Sequence, residues 1–583
     1  MCGIVGVSSQ KDQVEAAFLS SLDLLAHRGP DAGNLYSCDN KKVLIGHRRL
    51  SVLDPKDSAN QPMVSECGRF VIAFNGEIYN FKKLAASLHP KFSNARSDTR
   101  ILLETFVANG IEQTLDKVDG MFAFAIFDKK SKRLYLARDR FGEKPLYYGK
   151  LDGDFIFSSE LKPIIHLYRK NLSLCTEAIC KFLQISYVPA PYTIFNEVKK
   201  LLPGHYLIWD TRVNKEIEHK AYWYPELPLK RQNMSRENAR DEFEEIFEAS
   251  VASRCVSDVP LGAFLSGGYD STAVVVAMRN IGITNINTFT IGFDEGGFNE
   301  APFAKEVADC LGTNHTELYF PKSSMLDLIP EIPQIFDEPF ADVSQLPTYL
   351  VSKLARSKVT VCLSGDGGDE LFCGYSRYTI GNKLWRNISR LPMCSRTVLS
   401  EILTDKTLAK INYLNTFLPP KKRVPNLVGR GSKIRGILKS KSNEEFYSKL
   451  ISNEIQPDVL LSEAFQSSSN IDREKFGTDF VNSMMLSDLR NYLPGDILVK
   501  VDRASMANSL EARAPFLSPD LYAFSNKLPF GLMQKSNTGK LIVRDYVHSH
   551  IPKNIMDRPK MGFGVPIADW LRGDLRDWVR DTP

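Results

Sequence analysis

Cysteine is scarce and scattered: ten in 583 residues, with no C-x-x-C pair. That spacing offers neither a disulfide framework nor a thiolate zinc site. The nine histidines include no H-E-x-x-H, and His548 and His550 form the one close pair. No apolar run approaches the ~20 residues needed to cross a bilayer. No basic stretch precedes an apolar one at the N-terminus, so no secretory signal is expected. A G-x-x-x-x-G-K-[ST] phosphate loop is missing, as are internal repeats and low-complexity segments. Even charge asymmetry is small: 74 basic against 69 acidic residues leaves a net +5. Such a surface gives nucleic acid no electrostatic footprint. These absences describe a reduced, soluble, cytoplasmic protein with no nucleic-acid or membrane partner.

What is present is ordinary globular material, 43% apolar and 25% charged. The chain is too long for one core, so two or more domains are expected. The first third is dense in short β-branched and aromatic runs, among them "CGIVGV", "FVIAFNGEIYN" and "MFAFAIFD". Two helical patterns interrupt them, and the second, "SDTRILLETFVANG", begins with a Ser-Asp-Thr cap and should end at Gly110. This is an α+β pattern of sheets packed with helices. The stretch "YWYPELPLKRQNMS" turns polar and proline-bearing and reads as a linker. Beyond it a long amphipathic helix leads into alternating strands and helices, the mark of a parallel α/β sheet. The expected boundaries are 1–210 for the first domain, 211–235 for the linker and 236–583 for the second domain.

Two turns in the second domain carry chemistry. In "LSGGYDST" an apolar strand runs into two glycines and a helix starts at once. Backbone N–H groups there form an anion cradle, with hydroxyls from Ser266 and Ser271. Asp270 repels phosphate unless Mg²⁺ bridges the two. "LSGDGGDELFCGY" repeats the logic with Ser364, Gly365, Asp366, Asp369 and Glu370. Carboxylates crowded on one turn call for a metal or a cationic substrate group.

The chain opens "MCGIVGV". Removing Met1 would leave Cys2 with a thiol and a free α-amine, nucleophile and base in one residue. Asn75 and the N–H of Gly76 could form an oxyanion hole, or the pair could be a plain hairpin turn. Arg49 could clamp a carboxylate bidentately or make a surface ion pair. Glu77 and Asp98 could grip an α-ammonium group. Together these residues describe a pocket for an amino-acid zwitterion such as glutamine.

Residues spread over nearly the whole chain resemble the glutamine-hydrolysing asparagine synthetases. "MCGIVGV", "HRGPD", "GHRRLSVLD", "FNGEIYN", Ser97-Asp98 and "RDRFGEKPLYY" are similar to the glutaminase domain of that family. "LSGGYDST", "LSGDGGDELFCGY", "LPGDILVKVDRASMANSLEARAPFL" and "RPKMGFGVP" are similar to its synthetase domain. The resemblance implies an αββα N-terminal-nucleophile sandwich followed by a parallel-sheet ATP-pyrophosphatase domain. Cys2, Asn75, Gly76, Asp366 and Lys560 would be catalytic. Glutamine would contact Arg49, Leu50, Ser51, Val52, Leu53, Asn75, Gly76, Glu77 and Asp98. ATP would lie against Phe264, Ser266, Gly267, Gly268, Asp270, Ser271, Ile291, Ser364 and Gly365, with Mg²⁺ on Asp270 and Asp369. A carboxylate acceptor would meet Asp366, Tyr375, Arg503 and Arg513, with Glu511 nearby. The implied partners are glutamine, ATP and an acceptor, aspartate first, with a second copy of the chain as a homodimer. The alternative acceptor is a uronic acid of a nucleotide sugar or surface polysaccharide. Asp366 stands where other members carry Glu, which bears on that choice.

Overall fold

The computed structural model describes residues 1–9, 15–38, 42–92, 96–228, 231–293, 299–321, 326–417, 419, 423, 427–453, 476–477, 479–557, 564–565, 567–573 and 575–581. Two antiparallel six-stranded sheets form the N-terminal part. In the first, Cys2–Ser8 lies between Val43–Arg49 and Asp154–Ser158. In the second, Phe70–Ile78 pairs along its length with Gly120–Asp128. Side chains alternate across a strand. Ala73 therefore faces Ile4, Ile45 and Phe127 between the sheets, while Phe70, Ile72 and Phe74 pack outward under helix Asp98–Lys117. Phe18, Leu22, Leu161 and Ile164 cover the outer face of the first sheet. The layers are helix, sheet, sheet, helix.

Ser97 caps the helix as expected, its side chain accepting from the Arg100 N–H. Gly110 does not end it. At φ 75° the glycine kinks the chain, and helical residues resume to Lys117. A left-handed glycine can close a helix or bend one; here Ile111, Thr114 and Leu115 still find a buried face and continue it. The second sheet also runs past residue 210, because Lys215–Ala221 pairs with His205–Asp210 in the stretch assigned to the linker.

A third sheet is parallel throughout, in the order Asn314–Phe320, Asn287–Phe293, Leu261–Phe264, Val361–Leu363, Glu511–Arg513. Leu261–Phe264 comes first in the chain; the next two strands add on one side of it and the last two on the other. The crevice where the order reverses is where α/β sheets bind ligands. Both glycine turns leave the two strands that flank it.

The edge strand Glu511–Arg513 lies against the N-terminal part. Leu50, Val52, Tyr79 and Met121 join one apolar cluster with Phe247, Leu265 and Phe516. Buried charges also cross the junction. Arg28 binds Asp502 at 2.8 Å, Arg503 binds Glu160 at 2.8 Å, and Arg513 binds Glu77 at 3.1 Å. Among the described residues no helix is long and apolar enough to cross a membrane.

Candidate active sites and the junction between them

One pocket is lined by Cys2, Arg49, Leu50, Val52, Leu53, Gly76, Glu77, Asp98 and Glu511. Strand pairing sets Cys2 opposite Arg49. The Cys2 N–H donates to Asn75 Oδ1 at 3.0 Å. Asn75 is fully buried, and its Nδ2 has no hydrogen-bond partner. A buried donor without a partner is costly, so this one is available to an oxyanion. Gly76 has φ 157°, and a Cβ there would lie 2.1 Å from the Met121 carbonyl oxygen. No other residue fits. Burial pushes the Cys2 thiol up, against the pull of the N-terminal amine and the Leu50 N–H. The resting sulfur is therefore a thiol and needs a base to become a nucleophile.

Glu77 and Asp98 are both buried. Burial, then the charge of Asp98, raises Glu77 well above the usual carboxylate range. Burial raises Asp98 to about 6, against N–H donors from Ile78 and Thr99. Two carboxylates held in this way favour an arriving cation.

Some expected contacts differ. Arg49 Nη1 donates to the Lys56 carbonyl and Asn60 Oδ1, and Nη2 to the Leu53 and Asp54 carbonyls. Its guanidinium shapes the 53–60 loop, and gripping a carboxylate means releasing some of these bonds. Ser51 is turned toward Asp31, whose side chain accepts its N–H at 2.7 Å.

The second site gathers the two glycine turns. Gly267 and Gly367 have φ 71° and 91°, conformations a side chain disfavours. Ser266 Oγ and Ser271 Oγ lie 3.1 Å apart at the start of helix Tyr269–Asn280. The turns press on each other: a Cβ on Gly365 would sit 2.8 Å from Asp270 Cβ, and one on Gly368 2.6 Å from Asp270 Oδ1. This packing brings Asp270 and Asp369 to one cation, the ammonium of Lys540, which pairs with Asp270 and lies 2.7 Å from Asp369. Phe264 is half-buried at the rim, and Ile291 is buried in the core below it. Tyr375 donates to Glu370 at 2.8 Å. Burial raises Asp366, and Lys500 opposes the shift.

Arg503 and Arg513 are both engaged at the domain junction. Arg503 is 2% exposed and bound to Glu160 and Tyr147 of the N-terminal part. Arg513 donates to Glu511, Glu77 and the carbonyls of Arg254 and Val256. Its guanidinium ties Glu77 of the N-terminal part to Glu511, Arg254 and Val256 of the second domain. Glu511 likewise lines the Cys2 pocket and pairs with the Met1 amine. Strand direction is the reason: Glu511–Arg513 is the sheet edge, and its open side faces the other domain. Lys560 lies outside the described residues. Sequence reasoning missed Lys540 and the Lys500–Asp342 pair at 2.7 Å. A Gly-Lys step before an apolar helix, "TGKLIV", was the visible signal for Lys540.

A model of the glutamine amidotransferase domain matches residues 1–223, and a model of asparagine synthase matches residues 242–582. The chain is 33% identical to asparagine synthetase [glutamine-hydrolyzing] 1 of Bacillus subtilis, over 100% of this chain and 89% of that one. The chain belongs to the glutamine-hydrolysing asparagine synthetase family. As a member it is a glutamine-hydrolysing, ATP-dependent ligase. A putative asparagine synthetase of Methanocaldococcus jannaschii is 34% identical, over 87% of this chain and 98% of that one. The relatives of this asparagine synthetase family member also include amidase chry2 of Gibberella zeae, 26% identical over 98% of this chain and 88% of that one.

Proposed function

We propose that this enzyme makes asparagine from aspartate, with glutamine as nitrogen donor and ATP as activator. The observation that carries the reading is the position of strand Glu511–Arg513. Glu511 lines the Cys2 pocket, while Ala512 and Arg513 line a cavity shared with Ser364 and Asp366. One strand is the common wall of a nucleophile pocket and a nucleotide-type site.

After Met1 is removed, the α-amine of Cys2 takes the thiol proton and the sulfur attacks the glutamine amide carbon. Asn75 Nδ2 and the Gly76 N–H meet the oxyanion. Glu77 and Asp98 hold the α-ammonium. Ammonia leaves, and water later releases glutamate. At the other site the acceptor carboxylate attacks the α-phosphorus of ATP, and pyrophosphate departs. Ammonia then displaces AMP from the acyl-adenylate. Free ammonia near pH 7 is mostly ammonium and not nucleophilic, so a dry route between the sites protects it.

Asp270 and Asp369 suit Mg²⁺, since they already converge on one cation and phosphate oxygens can complete the shell. Bound there, the metal would neutralise the pyrophosphate charge. Lys560 is proposed to act on the α-phosphate.

The acceptor is read from charge. Burial, then Asp369, raises Glu370 to about 8; burial, then Asp342, raises Asp496 to about 7. These groups favour an acceptor that carries an ammonium group, which aspartate has and a uronic acid lacks. We also propose a homodimer in the cytoplasm and the domain limits 1–223 and 236–583. A panel of carboxylates scored by pyrophosphate release tests the reading. Aspartate should lead, and release with a uronic acid but not with aspartate would refute it.

A further inference from the structure

The cavity behind strand Glu511–Arg513 has a glutaminase-side wall that the chemistry above leaves unused. Glu143 and Lys144 form it, facing Ser364 and Asp366 across the domain junction. Lys144 reaches Asp502 at 3.6 Å. Glu143 is only 6% exposed, yet its carboxyl group makes no hydrogen bond and no ion pair among the described residues. Its backbone N–H is anchored on Asp139 at 2.9 Å, so its position is fixed. Tyr79 stands nearby, two residues beyond Glu77 of the first pocket. It is 7% exposed, and its Oη has no partner. The Arg254 guanidinium lies 4.2 Å from the Tyr79 ring, and that of Arg513 lies 5.9 Å from it.

A buried hydroxyl without a partner, interacting with Glu511 of the first pocket and with Glu143 of the cavity that holds Asp366, is an expense a fold retains for a ligand. Water would satisfy the hydroxyl at rest. Ammonia has nearly the same size and also both donates and accepts, so it can replace that water in passing.

We propose that Glu143 and Tyr79 form a hydrogen-bonding waypoint for ammonia between Cys2 and the carboxyl group activated beside Asp366. The Tyr79 O–H donates to the nitrogen lone pair, and a Glu143 carboxyl oxygen accepts an N–H. No covalent bond forms, and no proton is transferred overall. The proposal rests on the two-site reading of the preceding section.

The test supplies full-length enzyme with glutamine labelled with ¹⁵N in the amide, ATP, aspartate and excess unlabelled ammonium chloride. Wild type should place mostly ¹⁵N in the product amide. E143L should lower that fraction at least about threefold, while glutamine hydrolysis and ammonia-driven synthesis change less than about twofold. Y79F should act in the same direction more weakly, and E143Q, which still accepts an N–H, should restore most of the label. An unchanged ¹⁵N fraction in E143L overturns the proposal. So does a parallel fall of all three activities that E143Q does not rescue, which would mean a folding role. Wild type that forms no amide from either nitrogen source would overturn the two-site reading itself.

Discussion

Around Cys2, Glu77 and Asp98 are buried together; Arg49 is taken up by loop carbonyls, and Arg513 is shared between Glu77 and Glu511. Around the paired turns, Asp270 and Asp369 share a whole ammonium from Lys540. In the first pocket Asp98 makes no ion pair among the described residues, which leaves a place for a cationic group on the ligand. The second already holds a cation between its two carboxylates, whose pull outweighs the burial of Lys540. A ligand enters the first by filling a deficit and the second by exchange, with the ammonium free to turn toward phosphate oxygens as a metal takes its place. Electrostatics therefore distinguishes a zwitterion pocket from a polyanion pocket in one chain.

The sharpest break between the two regions is chemical. Cys2→Ala should lower glutamine-driven synthesis by at least about 10³-fold and leave ammonia-driven synthesis within about twofold. Product assays with each nitrogen source check it, and loss of both activities would join what is described here as separate.

Next comes Lys540→Met. It leaves two partly buried carboxylates facing each other without their cation. Breaking a buried pair costs about 3 kcal/mol before solvent screening, so a loss of about 1–3 kcal/mol in denaturant unfolding is expected, with ATP-dependent turnover down about 10²-fold. Millimolar Mg²⁺ should recover part of the stability, and glutamine hydrolysis should persist. A smaller version is Gly365→Ala, whose new Cβ meets Asp270 Cβ and the Ser271 N at 2.8 Å. Pyrophosphate release should fall about tenfold, with glutamate release unchanged.

The mildest test is pH. Asp98 is raised from 3.8 to about 6 by burial. Its native form binds a proton more tightly than its unfolded form does. The penalty is present in full above about 6 and is relieved as pH falls toward 4, which favours the native state by about 3 kcal/mol from this group alone. Function runs the other way, because the neutral acid no longer attracts an ammonium. The KM for glutamine should rise as pH drops through about 6, while ammonia-driven synthesis shows no such step. Asp98→Asn should flatten the profile; a step that survives in D98N assigns it to another group.

Much of this was legible in sequence because local rules governed it. Ser97 had to cap its helix, and Gly267 and Gly367 had to supply left-handed turns wherever the chain placed them. Cys2 meets Asn75 and Glu77 because the two sheets stack face to face, and their motifs lie in strand-like runs. The partners of Arg503 and Arg513 were hidden for the opposite reason. Both arginines sit in a motif of the second domain, but their partners Glu160 and Glu77 are hundreds of residues away. Composition says that a buried arginine needs an acid, not which one. Lys540 was hidden similarly, since its carboxylates lie on turns 171 and 270 positions earlier. Gly110 failed as a helix stop because an apolar face beyond it still had a core to cover.

The shared wall also sets a schedule. Residues 1–223 leave the ribosome long before Glu511 is made. At roughly 10 residues per second, about 40 seconds separate Asp98 from Glu511 during synthesis. Through that interval the Cys2 pocket lacks one side, so its finished shape waits for the second domain and arrives together with the place where its ammonia is used.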